Sequence, residues 1–254
     1  MTGERISDRV PDFADRLLAW FDEHGRHDLP WQHPRTAYRV WVAEVMLQQT
    51  RVATVIPYFE AFMAAFPDVT SLADADQAAV LERWAGLGYY ARARNLHAAA
   101  RVIRDQYDGR FPREPEQLAA LPGIGPSTAN AIAAQAFDRP AAILDGNVKR
   151  VLARLYAVEG WPNATATARQ LWQLAEAHTP DYRAADYTQA IMDLGATLCT
   201  RARPACDDCP FAGDCRARAE GRTAELPHGR PRTGRAQRRR RETAMLLIRD
   251  GAGR

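Results

Sequence analysis

Lysine is all but missing from this chain: of 34 basic residues only Lys149 is a lysine, and the rest are arginines. A mechanism that needs a side-chain amine, such as a Schiff base, therefore has one residue to draw on. No apolar run approaches the ~18 residues of a membrane-spanning helix. The first eleven residues, ending at Pro11, are polar and charged, without the apolar stretch of a secretory signal, so a cytoplasmic protein is expected. Strand-like alternation is scarce before the last dozen residues, and no repeat of solenoid period is visible. Cysteine is also rare. Only four occur, all between Cys199 and Cys215, which excludes a disulfide framework spread through the fold.

What remains reads as helix after helix. Starts are expected near Pro11, Thr36, Val52, Asp76, Ala91, Ser127, Asn147, Ala166 and Arg183, several marked by a cap residue or a proline. The breaks are short: 33–34, 86–88, 122–126 and 145–146. Short breaks place neighbouring helices against each other. The fold class expected is all-α. Residues 243–251 have the pattern of a strand running into a turn, and a lone strand is not stable by itself.

The net charge of +3 conceals an asymmetry. Residues 216–241 hold ten arginines and two glutamates, a local +8, which leaves −5 on the first 215 residues. Such a segment has the composition of a linker and suits a polyanion such as nucleic acid, or is simply a solvated face.

Three features carry chemistry. The first is Cys199, Cys206, Cys209 and Cys215, spaced C-x6-C-x2-C-x5-C. Four thiols this close, in a chain expected to be cytoplasmic, favour a metal over disulfides; spacing alone leaves zinc and an iron–sulfur cluster open. All four ligands would be used in binding, so the role is structural. Arg201, Arg203, Arg216 and Arg218 flank the cluster, as phosphate contacts or as ordinary surface charge.

The second is residues 121–132 (Leu-Pro-Gly-Ile-Gly-Pro-Ser-Thr-Ala-Asn-Ala-Ile), a glycine-punctuated turn entering a helix. The glycines allow close backbone approach, and the first N–H groups of the helix form an anion site. A plain helix connection has the same outline.

The third is a pair of carboxylates. The helix 37–47 contains two charges, Arg39 and Glu44. They lie about 140° apart around its axis, and Glu44 shares a face with Val40 and Leu47. Apolar neighbours raise a carboxyl pKa, as a general acid at neutral pH requires; on a half-exposed helix Glu44 is merely a surface residue. Asp145 follows an apolar stretch and lies 20 residues beyond the hairpin, though its place before a helix also fits a simple N-cap.

Together, residues 41–50 (Trp-Val-Ala-Glu-Val-Met-Leu-Gln-Gln-Thr), the hairpin at 121–128 and the cysteine spacing resemble the helix–hairpin–helix DNA glycosylases. Residues 29–32 (Leu-Pro-Trp-Gln), 44–50, 86–96 (Gly-Leu-Gly-Tyr-Tyr-Ala-Arg-Ala-Arg-Asn-Leu) and 143–151 (Ile-Leu-Asp-Gly-Asn-Val-Lys-Arg-Val) are similar to the MutY-type adenine DNA glycosylases, and the likeness runs from about residue 11 to 215. The resemblance implies a six-helix barrel over 36–143. It also implies an iron–sulfur domain from 1–35 and 144–215, an arginine-rich linker at 216–241, and at 242–254 a tail or the start of a truncated Nudix-like domain, the module that recognises 8-oxoguanine. Two helical domains would flank an active-site cleft. The resemblance also implies a [4Fe–4S] cluster on the four cysteines and a monomer acting on double-stranded DNA in the nucleoid.

The implied reaction is monofunctional: adenine opposite guanine or 8-oxoguanine is flipped out and hydrolysed off. Glu44 would protonate the purine ring and Asp145 would stabilise the sugar cation. Leu47, Gln48, Gln49, Thr50 and Tyr89 would meet the duplex near the lesion, and Gly123, Gly125, Ser127 and Asn147 would meet its backbone. The lyase relatives need a lysine where this chain has Ser127, so little β-lyase activity is expected, apart from incidental trapping at Lys149. Two other readings remain: a related glycosylase for thymine or uracil, and a non-catalytic DNA-binding module.

Overall fold

The structure, a computed structural model, describes residues 10–231, and every regular element among them is helical. In chain order they are α1 (Phe13–His24), a 3₁₀ turn (Pro30–Gln32), α2 (Ala37–Leu47), α3 (Val52–Ala65), α4 (Val69–Asp74), α5 (Gln77–Arg83), α6 (Ala91–Tyr107), α7 (Pro115–Ala119), α8 (Pro126–Phe137), α9 (Gly146–Leu155), α10 (Thr165–His178), α11 (Ala184–Asp193), a π turn (Leu194–Leu198) and α12 (Arg216–Ala219). Each expected helix is present. No helix among the described residues is long and apolar enough to cross a membrane. The strand expected at 243–251 lies outside the described residues.

The helices build two apolar clusters. The first packs α2, α3, α4 and α6 around Trp41, Phe59, Phe62 and Trp84, and takes in Leu29 and Trp31 from before α2. The second packs α1, α9, α10 and α11 around Leu17, Phe21, Leu152 and Phe211. Alanine-rich α8 contributes to both: Ala129, Ile132 and Ala133 face the first cluster and Ala131 the second. It packs on α2 on one side and on α11 on the other. Small side chains permit this double contact, because neither neighbour is held away by bulk.

Asp193, fully buried at the end of α11, fastens α1 to the second cluster. It accepts from the Arg26 amide at 2.8 Å and the Arg26 guanidinium at 2.5 and 3.0 Å, and from Gln189 at 2.7 Å. Its lone pairs are met by donors on several sides, as a buried polar group requires.

The expectation of a linker from residue 216 onward needs correction over its described part. Within 216–231, α12 packs on α9. Ala217 and Leu226 are buried, and the Leu226 carbonyl accepts from Arg154 at 2.9 Å. Arg222 pairs with Glu159, Glu220 and Glu225, and Arg218 with Asp207. Two arginines of this stretch thus meet carboxylates, and one of these carboxylates, Glu159, comes from 63 positions earlier. The remainder of the expected linker, 232–241, lies outside the described residues.

Candidate active site

The site begins with α2. Thr36 caps its start by accepting from the Arg39 amide at 3.3 Å, and Tyr38, Val40, Trp41, Val42, Ala43, Val45 and Met46 are all buried. A helix this apolar is surrounded on nearly every side. Glu44 therefore has to sit in a protein-lined recess, and among the described residues Gln135 of α8 donates to it, at 3.0 Å. Burial pushes the Glu44 carboxyl up to about 7, the charge of Asp145 adds to the rise, and the Gln135 bond opposes it.

Asp145 caps α9. Its side chain accepts from the Val148 amide at 2.8 Å and from Asn147 Nδ2 at 3.1 Å, in agreement with the cap reading of the sequence. Burial also raises its pKa, but these donors and the Arg150 guanidinium all favour the anion. The pair thus has unequal surroundings: Glu44 has one neutral donor, Asp145 several donors and a nearby cation. One proton shared between them belongs on Glu44. The charge of Asp145 acts on Glu44, so the carboxylates of α2 and α9 lie within electrostatic reach of each other.

Behind Asp145 stands a network of arginines on α9. Arg150 donates to Asn147 Oδ1 at 2.8 Å, to the Gly195 carbonyl at 2.6 Å and to the Cys199 carbonyl at 2.7 Å. Arg154, buried, donates to the Thr200 and Arg201 carbonyls at 2.7 and 3.0 Å and to Cys199 Sγ at 3.4 Å. The π turn brings Gly195 so close that a Cβ there would lie 2.6 Å from that of Asn147. The cysteine loop is thereby bolted to the helix that Asp145 begins. Asn147, expected at the DNA, is placed inside this network.

The four cysteines are free, half-buried and border one small cavity of about 30 Å³ together with Arg154 and Leu198. Among the described residues no three His, Cys, Asp or Glu side chains are placed to hold a single metal ion. Burial pushes the Cys209 thiol up to about 11.

At the hairpin, Gly123 has φ 76°, and a Cβ there would lie 2.6 Å from Asn95 Cβ, so the turn itself requires glycine. Gly125 differs: a Cβ there would project into open space, and nothing inside the chain demands its absence. Ser127 is turned inward, its Oγ accepting from the Leu144 amide at 3.0 Å and steadying the segment that ends in Asp145. Lys149, the one lysine, is half-buried and donates to Asn163 at 2.7 Å.

Beyond Glu44 the chain leaves α2 into an open groove of about 610 Å³. It is bordered by Gln48, Gln49, Tyr89, Tyr90, Arg92 and Arg94, not by the carboxylates themselves. Tyr89 is 62% exposed, and Leu47 and Thr50 are half-buried. Sequence reasoning missed Gln135 and Arg92. A glutamine amid the alanines of α8 was a signal for the first; nothing local marked the second.

Comparison with known proteins agrees with this architecture. The chain is 46% identical over 218 residues to the adenine DNA glycosylase of Homo sapiens, covering 82% of this chain and 40% of that protein. To that of Buchnera aphidicola subsp. Acyrthosiphon pisum it is 41% identical over 215 residues, 85% of this chain and 61% of the relative. To that of Mycolicibacterium smegmatis it is 43% identical over 206 residues, 81% and 69% of the two chains. The chain spans about three fifths of the length of the Buchnera relatives. Among solved structures, a thermostable thymine-DNA glycosylase superposes with TM-score 0.74 at 28% identity, over 82% of this chain and 95% of the other. Endonuclease III in a non-covalent DNA complex shares the fold, with TM-score 0.69 at 22% identity, over 82% and 94%. Residues 42–177 match the family described as HhH-GPD superfamily base excision DNA repair protein, and to that superfamily this chain belongs.

Proposed function

We propose that the protein is a monofunctional adenine DNA glycosylase that extrudes adenine mispaired with guanine or 8-oxoguanine and hydrolyses its glycosidic bond. The observation that carries this reading is the unequal pair: Glu44 with one neutral donor and a pKa pushed up to about 7, Asp145 held among donors that favour its charge. Glu44 protonates the purine ring, so the base leaves as a neutral molecule. The sugar is left positive, and the Asp145 carboxylate stabilises it until water adds. This is the division of labour between two carboxyls found in glycoside hydrolysis. Relatives named adenine DNA glycosylases support adenine as the base. The open space at Gly125 and the free N–H groups at the start of α8 suit a phosphate of the duplex. Ser127 and Asn147 act indirectly, by holding the Asp145 segment.

The four cysteines fit an iron–sulfur cluster. They border one cavity, and their spacing resembles that of the iron–sulfur loop of the helix–hairpin–helix glycosylases. A thiol as high as Cys209 needs a metal to remain a thiolate. Cys199, Cys206, Cys209 and Cys215 would hold the cluster, which supplies a structural anchor for the loop bolted to α9. In this proposal the division into a barrel over 36–143 and a cluster domain over 1–35 and 144–215 assigns one carboxylate to each side of the cleft.

Single-turnover assays on A·G, A·8-oxoguanine and T·G duplexes test the function. Release of adenine from the first two and not of thymine is expected; thymine release alone would replace the proposal with a thymine-specific one. The purified protein is expected to be yellow-brown with about four irons per chain, and stoichiometric zinc in a colourless protein would remove the cluster.

A further inference from the structure

Two loop tips wall the open groove beyond the end of α2. One follows α2 and the other precedes α6. Each contains a non-glycine residue in the left-handed region, Gln49 at φ 60° and Tyr89 at φ 50°. Such backbone persists only where its surroundings over-determine it, and it gathers at functional sites. Tyr89 is largely exposed, so packing of its own ring does not hold it.

Arg92 is what the two tips share. Its Nη1 donates to the carbonyls of Val45 at 3.0 Å, Met46 at 2.9 Å and Gln48 at 2.5 Å. Its Nη2 reaches the other way, to the carbonyls of Leu87 at 3.3 Å and Gly88 at 3.4 Å, and to Thr50 Oγ1 at 3.4 Å. The guanidinium lies 5.5 Å from the ring centre of Trp84 and 5.4 Å from that of Tyr89. Part of this is ordinary: the last carbonyls of a helix attract a cation. A single-point cation would serve for that. Spanning from α2 to Leu87 and Gly88 while within reach of two rings calls for a planar fork.

We propose that Arg92 is a positioning residue that locks the 48–50 tip and the Tyr89 tip at one separation, so that both enter the duplex as a single preformed wedge when the base is extruded. The inference rests on the glycosylase reading above. Its physical content is preorganisation: loops ordered in advance do not lose their freedom at the moment of insertion.

The test uses Arg92→Lys and Arg92→Ala in the full chain. Lysine keeps the charge and the stem over Trp84 but not the fork. The first readout is fluorescence of 2-aminopurine placed beside a non-hydrolysable 2′-fluoroadenosine opposite guanine, which rises when the stack opens. The second is the salt dependence of duplex binding. The third is single-turnover adenine release. Both variants are expected to lose the fluorescence rise and to release adenine about 10- to 100-fold more slowly, while the lysine variant keeps the wild-type salt slope. Wild-type opening in Arg92→Lys would overturn the proposal. So would a salt slope lower by about one in Arg92→Ala together with full rescue by lysine, the signature of a plain phosphate contact. Should the alanine variant not fold, the lysine variant alone decides. If the wild-type protein releases no adenine at all, the function proposed above fails, yet the fluorescence comparison still tests the clamp.

Discussion

Glu44→Gln is expected to bind an A·G duplex as tightly as the parent and to release adenine about 100- to 10,000-fold more slowly, the usual contribution of a general acid. The replacement is close to isosteric, and its amide oxygen can accept the same bond from Gln135 that Glu44 accepts at 3.0 Å. It removes only the proton. The pH profile supplies a second signature. The Glu44 pKa is raised to about 7, so the protonated, active form dominates below that value and is lost as the pH rises through it. The parent rate should therefore fall on the alkaline side near neutrality, and that limb should vanish in the variant. Single-turnover release measured from acid to mildly alkaline pH checks both statements. A variant as fast as the parent would take the acid role from Glu44.

Asp145→Asn is expected to lower the rate by about 100- to 1,000-fold, the range for removing one group that stabilises developing charge. Asparagine is as good an N-cap as aspartate, so the bond from the Val148 amide to the start of α9 can persist and the fold with it. The substitution also acts on the partner. Part of the rise in the Glu44 pKa comes from the charge of Asp145; without that charge the alkaline limb moves to lower pH. A cap with no catalytic role would leave the plateau rate where it was and move only the limb. Thermal unfolding of the same variant separates a damaged helix start from a missing anion.

Much of this arrangement was legible beforehand, for identifiable reasons. The helix α2 declares itself through its apolar run, and Glu44 stands out because it is the one acid within it. Asp145 stands directly before a run that reads as a helix, the place of an N-cap. The short helices α4, α7 and α12 were not anticipated; they have six, five and four residues, too few for a period to show, and contacts with the rest of the fold decide them. The arginines were the least readable. Arg92 looks like its neighbour Arg94, and the Val45, Met46 and Gln48 carbonyls that distinguish it arrive from 44 to 47 positions away. Likewise the tail after residue 215 sums to a positive charge along the chain, while in space Glu159, 63 positions earlier, meets Arg222.

One consequence of the α8 seam concerns tolerance. Glu44 rides on a helix that touches α8 from one side, and Asp145 begins a helix whose neighbour α11 touches it from the other. The spacing between acid and anion is thus gauged by the girth of an alanine-rich rod. A methyl-sized change at Ala131, where the rod meets the second cluster, acts as a shim: it need touch neither carboxylate to alter the distance across which they cooperate.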